Sequence, residues 1–328
     1  MKKRILGNNG PEVSAVGLGC MAMSEFYGST DDENSKKVIL SALENGVTML
    51  DTADTYGDGH NERLIAEVLK EWGGDVFIAT KFGIVRKPGT YERKICGKPE
   101  YVKEAVEKSL KRLNVDAIDL YYIHRIDTDV PIEETVGAMS DLVGEGKIKY
   151  IGLSEPSVET VLKAHAVHPV TCIQSEYSLF TRDVEASLLT VLRKNGIGFV
   201  PYSPLGRGIL TGKLTKEAME NEKDFRKSLP RTSGKYFDDN MVLVNRLKEI
   251  ADSKAITLSQ LALAWVLSRG DDIVPIPGTR NIRYLMDNIQ SADVRLDDDD
   301  IRKIETIVYP GAVKGERYTK EGMKGVNG

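Results

Sequence analysis

The stretch IDLYYIHRIDTDVPIEETVGAMSDLVGEGKIKYIGLS, residues 118–154, contains the pattern that decides the fold. It opens with the apolar, β-branched run Ile118–His124, continues as an amphipathic segment over Ile132–Gly144, and ends in a second apolar run, Ile148–Ser154. A strand, a helix and a strand in this order form a parallel βαβ unit with a right-handed crossover. The nearly continuous apolar character of both runs is typical of strands covered on both faces.

The same alternation extends in both directions along the chain. The predicted strands are Val13–Met21, Thr48–Asp51, Val76–Lys81, Ile118–His124, Ile148–Ser154, Cys172–Tyr177, Gly198–Ser203 and Ile273–Pro277. The predicted helices are Asp32–Asn45, Asn61–Trp72, Pro99–Leu113, Ile132–Gly144, Val158–Ala166, Val184–Lys194, Met241–Lys254, Leu258–Ser268, Ile282–Ile289 and Asp297–Val308. Strands that alternate with helices in this way close naturally into a (β/α)8 barrel. An open doubly wound sheet would require a glycine-rich phosphate loop after the first strand, and the segment 17–22, GLGCMA, lacks its third glycine.

Three segments lie outside a minimal barrel. The pair Asn9-Gly10 predicts a β-hairpin that covers the N-terminal end of the barrel. A long, charged loop, Leu205–Asn240, follows the seventh strand, and a loop of that length is usually functional or disordered. After the extra C-terminal helix, Tyr309–Gly328 is predicted to be an irregular tail. Although 328 residues would also allow two domains, we expect residues 1–328 to form a single barrel domain.

The composition excludes several classes of protein. With 45 Lys+Arg against 49 Asp+Glu, a net charge of −4 and a pI of about 5.8, the chain lacks the bulk positive charge of a nucleic-acid binder. No apolar run reaches the roughly 18 residues of a membrane span. The basic start is interrupted at residues 7–9, GNN, before any signal-peptide core. The widely spaced Cys20, Cys96 and Cys172 suggest neither a metal site nor a disulfide framework, so we expect a cytoplasmic protein.

Polar residues follow the second, third and fourth predicted strands, at the barrel end where catalytic residues lie. They are Asp51 and Tyr56, then Lys81, then His124. Each residue alone also has a structural interpretation: a loop cap, a half-buried aromatic, a strand-end lysine and a core histidine. Because the three strands are neighbours, we expect the four side chains to converge on one pocket.

Together these side chains can transfer a proton to a carbonyl group. A tyrosine hydroxyl, with an ordinary pKa of about 10, is a weak acid, and we expect the Lys81 ammonium to lower the pKa of Tyr56. A salt bridge to Asp51 would keep Lys81 charged, and His124 can donate a hydrogen bond to a substrate carbonyl. The set includes no evident nucleophile and no cluster of metal ligands.

A phosphate-binding site is predicted after the eighth strand, where barrels often bind phosphate. Gly278, Thr279 and Arg280 precede the helix Ile282–Ile289, which carries Arg283 in its first turn. Backbone N–H groups, a hydroxyl and a guanidinium suit a phosphate monoester. The long loop could add positive charge with Lys213, Lys216, Lys223, Arg226, Lys227 and Arg231, although a charged loop is more often simply solvated. Apolar side chains on the loops, which could line a substrate pocket, are Met21, Phe26, Tyr27 and Phe82.

Over residues 4–308 the chain resembles the aldo-keto reductase superfamily. The motifs that carry the resemblance are Gly17–Gly19 (GLG), Asp51–Gly57 (DTADTYG), Ala79–Gly83 (ATKFG), Tyr121–Arg125 (YYIHR), Gly146–Ser154 (GKIKYIGLS), Tyr202–Gly208 (YSPLGRG) and Pro277–Arg280 (PGTR). The variants Met23–Gly28 and His124–Asp127 look like the branch of plant, fungal and bacterial reductases with a Tyr-Ser-Pro-Leu-Gly motif.

The resemblance implies NADPH-dependent reduction of an aldehyde or ketone. It assigns Asp51, Tyr56, Lys81 and His124 as the catalytic tetrad, with Tyr56 as general acid. It places the adenosine 2′-phosphate at Arg280 and the nicotinamide ring against Tyr202. The implied cofactor residues are Met21, Ser154, Gln174, Tyr202, Ser203, Leu205, Arg207, Gly278, Thr279, Arg280 and Asn288.

Two other functions remain open at this point. Lys81 could act as the nucleophile of a Schiff-base lyase. Alternatively, the chain could be a cofactor-binding regulatory module, because potassium-channel beta subunits also resemble aldo-keto reductases. The expected partner is a small carbonyl compound, with neither nucleic acid nor a membrane. Family members occur as monomers and as homo-oligomers.

Overall fold

The structure, a computed structural model, describes residues 1–8, 10–87, 92–219, 224–323 and 325–326. Its strands are β1 Lys3–Ile5, β2 Glu12–Ser14, β3 Leu18–Gly19, β4 Met49–Asp51, β5 Phe77–Phe82, β6 Ile84–Arg86, β7 Arg93–Ile95, β8 Ile118–Ile123, β9 Ile148–Ser154, β10 Cys172–Glu176 and β11 Gly198–Tyr202. Its α-helices are α1 Asp32–Glu44, α2 His60–Trp72, α3 Pro99–Leu113, α4 Ile132–Gly144, α5 Val158–Val167, α6 Leu188–Lys194, α7 Gly234–Ser253, α8 Leu258–Ser268, α9 Ile282–Gln290 and α10 Asp298–Ile307. Short 3₁₀ helices lie at Met21–Met23, Asp183–Glu185, Gly206–Thr211, Glu217–Met219, Phe225–Ser228, Pro230–Thr232 and Ser291–Asp293.

The barrel wall is a parallel sheet with the strand order β3-β4-β5-β8-β9-β10-β11. Neighbouring strands pair in a register that aligns their C-terminal ends, as in Lys81 opposite Tyr122 and Gln174 opposite Ser154. The helices between consecutive strands make every connection a crossover. The predicted (β/α)8 barrel is therefore confirmed.

The predicted eighth strand, Ile273–Pro277, closes the barrel without forming a regular strand. On one side Val274 and Ile276 donate to carbonyls of β11 at 2.9 and 3.0 Å. On the other side Pro275 and Pro277 accept from N–H groups in and just before β3 at 3.0 and 3.4 Å. Because proline has no N–H, Pro275 and Pro277 can accept hydrogen bonds from the β3 side but cannot donate any to it. The segment therefore closes the barrel but does not form a regular strand.

The predicted N-terminal hairpin is formed by β1 and β2, which pair antiparallel with Lys3 opposite Ser14. Of its predicted turn, Asn9 lies outside the described residues. Leu6 and Val13 are fully buried and pack against side chains from the barrel interior, so the hairpin covers the N-terminal end. The predicted first strand, Val13–Met21, was wrong in its bounds because it merged β2 with β3.

The apolar core has two layers separated by the sheet. Side chains that point into the barrel, such as Met49, Leu120 and Val200, form the inner cluster. Alternate strand residues pack outward against the helices. Gly152 is required in the inner layer, because a Cβ there would collide with the ring of Tyr122. The C-terminal end of the barrel is thus left to polar side chains.

Two segments outside the barrel wall differ from expectation, and a third agrees with it. The hairpin β6–β7, with Ile84 opposite Ile95, extends from the end of β5 and was not predicted. The long loop after β11 is partly ordered into 3₁₀ turns, and α7 starts at Gly234 rather than at Met241. The tail from Tyr309 is irregular as predicted over its described residues, and its predicted positions 324, 327 and 328 lie outside them.

Candidate active site

The structure brings the four predicted catalytic side chains to the C-terminal mouth of the barrel. Asp51 ends β4, Lys81 lies on β5, and His124 directly follows β8, and these strands are neighbours in the sheet. Tyr56 lies in the loop between β4 and α2. The C-terminal ends of parallel strands form one rim, which is why residues far apart in sequence meet there.

The loop that carries Tyr56 is fixed by hydrogen bonds to its neighbours. The N–H groups of Thr52 and Asp54 donate to carbonyls of β5 at 2.8 and 3.0 Å, so the β4–β5 ladder continues beyond β4. The hydroxyl of Thr52 donates to Asn61 on α2 at 2.7 Å. Tyr56 is therefore carried by a backbone whose path is set from both sides.

Lys81 and Asp51 form a buried ion pair. Lys81 Nζ donates to Asp51 Oδ1 at 2.5 Å and to the carbonyl of Thr52 at 2.7 Å. The second carboxylate oxygen of Asp51 accepts from Gln174 Nε2 at 2.7 Å. The side chains of Lys81 and Asp51 are only 0% and 4% exposed. Burial raises the pKa of Asp51 and lowers the pKa of Lys81, while their mutual contact opposes both shifts.

Tyr56 and His124 lie together above this pair. Their ring centroids are 5.8 Å apart with an edge-to-face angle of 82°, and Lys81 Nζ is 5.2 Å from the centroid of the Tyr56 ring. Nδ1 of His124 is buried and has no hydrogen-bond partner among the described residues. The tyrosine hydroxyl and the imidazole are thus close enough to contact the same small ligand.

The prediction that Lys81 lowers the pKa of Tyr56 is wrong. Burial, followed by the negative charges of Asp51 and Glu25, raises the pKa of Tyr56 well above its ordinary value, and the charge of Arg125 acts in the opposite direction. Asp51, at 2.5 Å from Lys81 Nζ, offsets the positive charge of Lys81, and burial of the phenol is the largest cause of the raised pKa. Tyr56 consequently keeps its proton, as a general acid must.

His124 is neutral at physiological pH. Burial, together with the positive charges of Arg125 and Lys81, lowers the pKa of His124 well below its usual value. A neutral imidazole has one N–H and one acceptor nitrogen. It can therefore donate a hydrogen bond to a carbonyl oxygen without competing with Tyr56 as the source of the proton.

The predicted phosphate site lies at the mouth, where the closing segment meets β3. A Cβ at Gly278 would lie only 2.8 Å from the carbonyl oxygen of Gly19, so the two backbones approach too closely for a side chain. Arg280 donates to the carbonyls of Tyr27, at 2.7 Å, and Ser29. The side chain of Asn281 caps α9 by accepting from its first N–H groups. Some of the N–H groups at the N-terminus of α9 therefore already have a hydrogen-bond partner within the protein.

Residues predicted to hold the nicotinamide lie on β9, β10 and β11. Ser154 is buried and accepts from Arg125 Nη1 at 3.2 Å. Gln174 is hydrogen-bonded to Asp51, which couples this predicted cofactor residue directly to the ion pair. The hydroxyl of Tyr202 is 3.0 Å from that of Tyr318 in the C-terminal tail.

The remaining predicted cofactor residues border the same mouth. Ser203 and Arg207 have positive φ angles of 49° and 56°, so the turn after β11 has a strained backbone. Leu205 lies in this turn and packs against the core, and Met21 begins the 3₁₀ turn after β3. Asn288 is buried on α9.

Of the four predicted pocket residues, Phe26 and Tyr27 contact the long loop, and Met21 begins the 3₁₀ turn after β3. The rings of Phe26 and Tyr27 contact Phe225 from the long loop edge to face, at 5.3 and 5.4 Å between centroids. Phe82 is a correction: its ring is fully buried and stacks on Tyr121 at 4.8 Å in the layer beneath the helices. Strand alternation explains this, because Phe82 follows Lys81 and must point to the opposite face of β5.

The positive charges of the long loop are largely engaged within the protein. Lys216 pairs with Asp238 at 2.7 Å, and Arg226 pairs with Asp224 at 2.6 Å. Arg231 donates to Thr181 at 2.6 Å and to a carbonyl of the C-terminal tail. The predicted Lys223 lies outside the described residues.

Sequence reasoning missed the contribution of the C-terminal tail. Arg317 forms a buried, bidentate pair with Glu155, with distances of 2.7 and 3.2 Å. The ring of Tyr318 lies 4.2 Å from the guanidinium of Arg207, which itself pairs with Glu176. The partners in the Glu155 pair are 162 residues apart, and no local pattern in the sequence signals such a contact.

A cavity of about 490 Å³ lies beside the loop between β4 and α2 that carries Tyr56. Asp54, Thr55 and Arg112 contribute to its lining, and none of the four predicted catalytic residues does. Oδ1 of Asp54 and Oγ1 of Thr55 are buried without a hydrogen-bond partner among the described residues. Burial, and next the charge of Glu62, raises the pKa of Asp54 to about 8.

Over the described ranges, no group of three or more His, Cys, Asp or Glu side chains is arranged to hold a metal ion. Within those same ranges, no helix is long and apolar enough to cross a membrane.

Comparisons with known proteins identify the family of this chain. The model of the Aldo/keto reductase family matches residues 15–308. A protein from Glycine max named probable aldo-keto reductase 1 is 47% identical over 315 residues, which is 95% of this chain and 90% of the relative. The glycerol dehydrogenase of Gluconobacter oxydans superposes with a TM-score of 0.86 at 27% identity, over 93% of this chain and 94% of that one. An aldo-keto reductase from Bacillus halodurans in its holo form gives a TM-score of 0.79 at 29% identity, over 98% and 99% of the two chains. This chain belongs to the aldo-keto reductase family.

Proposed function

We propose that this protein reduces an aldehyde or ketone to the alcohol with NADPH, and that Tyr56 supplies the proton. Membership of the family implies an oxidoreductase that reduces carbonyl groups with a nicotinamide cofactor. The observation that carries the finer proposal is the edge-to-face contact of Tyr56 and His124 beside the buried Lys81–Asp51 pair. Burial raises the pKa of Tyr56 and lowers the pKa of His124, which favours the protonated phenol and the neutral imidazole.

The residues at the mouth suit a nicotinamide dinucleotide. At Gly19 and Gly278 the backbones of β3 and of segment 273–277 approach too closely for a Cβ, so this part of the mouth is lined by main-chain atoms. The residues that would hold the cofactor are Met21, Ser154, Gln174, Tyr202, Ser203, Leu205, Arg207, Gly278, Thr279, Arg280 and Asn288. When bound, reduced nicotinamide supplies a hydride to the carbonyl carbon.

The protein's own residues complete the reaction at the carbonyl oxygen. His124 donates a hydrogen bond that orients the carbonyl, and Tyr56 transfers its proton as negative charge develops on the oxygen. The Tyr56 oxygen then recovers a proton from solvent, so one proton is consumed for each carbonyl reduced. Lys81 lies 5.2 Å from the Tyr56 ring centroid and stabilises the transient negative charge on Tyr56.

NADPH is preferred over NADH in this proposal because of Arg280. Its guanidinium is half-buried at the mouth, next to the hydroxyl of Thr279 and the start of α9. A guanidinium binds a phosphate monoester through charge-assisted hydrogen bonds. Two of its nitrogens donate to carbonyls of the loop after β3, so Arg280 also ties that loop to the phosphate site.

The test is a panel of aromatic aldehydes, aliphatic aldehydes, pyridoxal and keto-steroids, assayed by NADPH consumption with NADH in parallel. We expect alcohol formation in step with NADPH loss for at least one class. If no carbonyl is reduced while NADPH binds tightly, the protein is a cofactor-binding regulatory module instead.

A Schiff-base lyase remains the second candidate, because burial lowers the pKa of Lys81 as an amine nucleophile requires. Against it, Lys81 Nζ is completely buried and donates to both Asp51 and Thr52. Borohydride treatment in the presence of a carbonyl substrate is expected to leave Lys81 unmodified, and a reduced adduct on Lys81 would favour the lyase.

The cysteines support our expectation of a cytoplasmic protein. Cys20, Cys96 and Cys172 are free thiols, and two of them are buried. Free thiols persist in a reducing compartment.

A further inference from the structure

Arg125 is a buried cation at the mouth that forms no ion pair with a carboxylate of the described residues. Its side chain directly follows His124 and is only 7% exposed. Nη1 donates to the carbonyl of His124 at 2.7 Å and to Ser154 Oγ at 3.2 Å. Nε is buried and has no hydrogen-bond partner among the described residues. In the part of the chain that the structure describes, no carboxylate forms an ion pair with it.

The other buried cations of the mouth are neutralised. Lys81 pairs with Asp51, Arg207 with Glu176 and Arg317 with Glu155. Glu155 is the acid next to Arg125, but both of its oxygens are taken by Arg317. A guanidinium that loses water without gaining a carboxylate is costly. Its retention beside the reacting groups indicates that the missing anion comes from a ligand.

A second guanidinium lies nearby on the unpredicted hairpin. Arg93 begins β7, and its Nη2 reaches only the backbone carbonyls of Glu321 and Gly322, at 3.4 and 3.5 Å. Among the described residues it forms no ion pair. Burial and then the charge of Arg125 lower the pKa of Arg93, so the two guanidiniums sense each other. Two like charges held at one mouth attract an anion.

Arg125 lies beside the predicted catalytic residues and apart from the predicted phosphate site. Arg125 adjoins His124, whose ring centroid is 5.8 Å from that of Tyr56. The predicted phosphate site is elsewhere on the rim, where Arg280 contacts the loop after β3. A cofactor phosphate at Arg280 would therefore leave Arg125 without an anion.

We propose that the substrate carries a carboxylate on the same molecule as its carbonyl, and that Arg125, with Arg93, binds that carboxylate. The proposal rests on the reductase function proposed above. Carboxylate and guanidinium are planar and match in two parallel hydrogen bonds. The aromatic rings of Phe26 and Tyr27 near the mouth favour an aromatic oxo acid over a short one.

The test compares para-carboxybenzaldehyde with its methyl ester, which has the same ring and the same reacting carbonyl. We expect wild-type kcat/KM for the acid to exceed that for the ester by about tenfold to a hundredfold, the range of a charge-assisted pair. In Arg125→Gln the ratio of acid to ester falls towards one, mainly through KM for the acid. Arg125→Lys restores part of the ratio, and Arg93→Gln lowers it less. Arg246→Gln, an exposed arginine on α7, keeps the wild-type ratio.

Two results overturn the proposal: a wild-type ratio near one, or a ratio unchanged in Arg125→Gln while both substrates slow equally, as a structural role predicts. Weaker NADPH binding in Arg125→Gln at an unchanged ratio assigns this cation to the cofactor instead. If the wild type reduces no carbonyl at all, the proposed reductase function fails. Calorimetric titration then still tests whether Arg125 binds a carboxylate. The proposal requires that benzoate bind more tightly than benzamide to the wild type, and that this difference be absent in Arg125→Gln.

Discussion

Replacing Lys81 by Met tests the buried ion pair on which the catalytic mouth is built. The variant leaves the carboxylate of Asp51 buried, with the amide of Gln174 as its remaining partner. Since the two side chains are 0% and 4% exposed, water cannot replace the lost ammonium. Removing one partner of a buried pair costs about 3–5 kcal/mol. A domain has a total stability of about 5–15 kcal/mol, so the loss is large enough to measure.

The double variant Lys81→Met with Asp51→Asn separates charge burial from packing. It removes both charges while keeping side chains of similar size, and the carbonyl oxygen of the introduced amide can still accept from Gln174. Neutral replacement of a buried pair is often close to neutral in stability. We therefore expect the double variant to recover most of the stability that Lys81→Met loses, without recovering activity.

The assay is urea unfolding at pH 7, analysed as a double-mutant cycle. The matched control is Lys163→Met, which breaks an exposed pair with Glu159 on α5, where the side chains are 51% and 77% exposed. That change should cost no more than about 1 kcal/mol. The reasoning is refuted if Lys81→Met is no more costly than Lys163→Met, or if the double variant is as unstable as the single one.

The same geometry leads to three further predictions. Folding lowers the pKa of His124, so the free energy of unfolding of the wild type should decrease as the pH falls below about 6.5, by up to about 1.4 kcal/mol per pH unit. His124→Gln should lack this pH dependence, and His168→Gln should keep it. Parallel stability curves for the wild type and His124→Gln would contradict the burial of a neutral imidazole. Arg280→Glu should weaken the binding of NADPH by about tenfold or more and leave the binding of NADH nearly unchanged. Fluorescence titrations with NADPH that are identical for this variant and the wild type would show that Arg280 does not bind the phosphate. The pKa of Asp54 is raised to about 8 in the folded protein, so ionisation of this acid in the unfolded chain lowers the free energy of unfolding as the pH rises from about 4 to 8. Asp54→Asn should therefore be more stable than the wild type by about 1–3 kcal/mol at pH 7. A lower thermal midpoint for Asp54→Asn than for the wild type would contradict the burial of this acid.

Much of the barrel could be predicted because its strands are apolar on both faces. Ile118–Ile123 and Ile148–Ser154 coincide with predicted strands within a residue. The closing segment was harder to predict, because the alternating Pro275 and Pro277 make only half of a ladder there. The hairpin β6–β7 was missed because each strand has only three residues and no buried alternation.

The convergence of Asp51, Lys81 and His124 could also be predicted, because each lies at or just after the C-terminal end of a neighbouring strand. The direction of the Tyr56 pKa shift could not be predicted, because it depends first on how deeply the phenol is buried and then on the charge of Asp51. That Arg125 forms no ion pair among the described residues could not be predicted either, because the neighbouring acid, Glu155, pairs with Arg317 in the C-terminal tail. Contacts of this kind depend on the path of irregular segments, and the sequence of an irregular segment has no periodic pattern from which its path can be predicted.

The central claim is that Tyr56 provides the proton for carbonyl reduction. Single-turnover mixing of the enzyme–NADPH complex with benzaldehyde, followed by nicotinamide absorbance, tests it most directly. Tyr56→Phe should slow the turnover by about 10²–10⁴-fold with an unchanged dissociation constant for NADPH, whereas Tyr309→Phe, at a tyrosine 58% exposed, should match the wild type. Turnover at the wild-type rate in Tyr56→Phe would contradict the account.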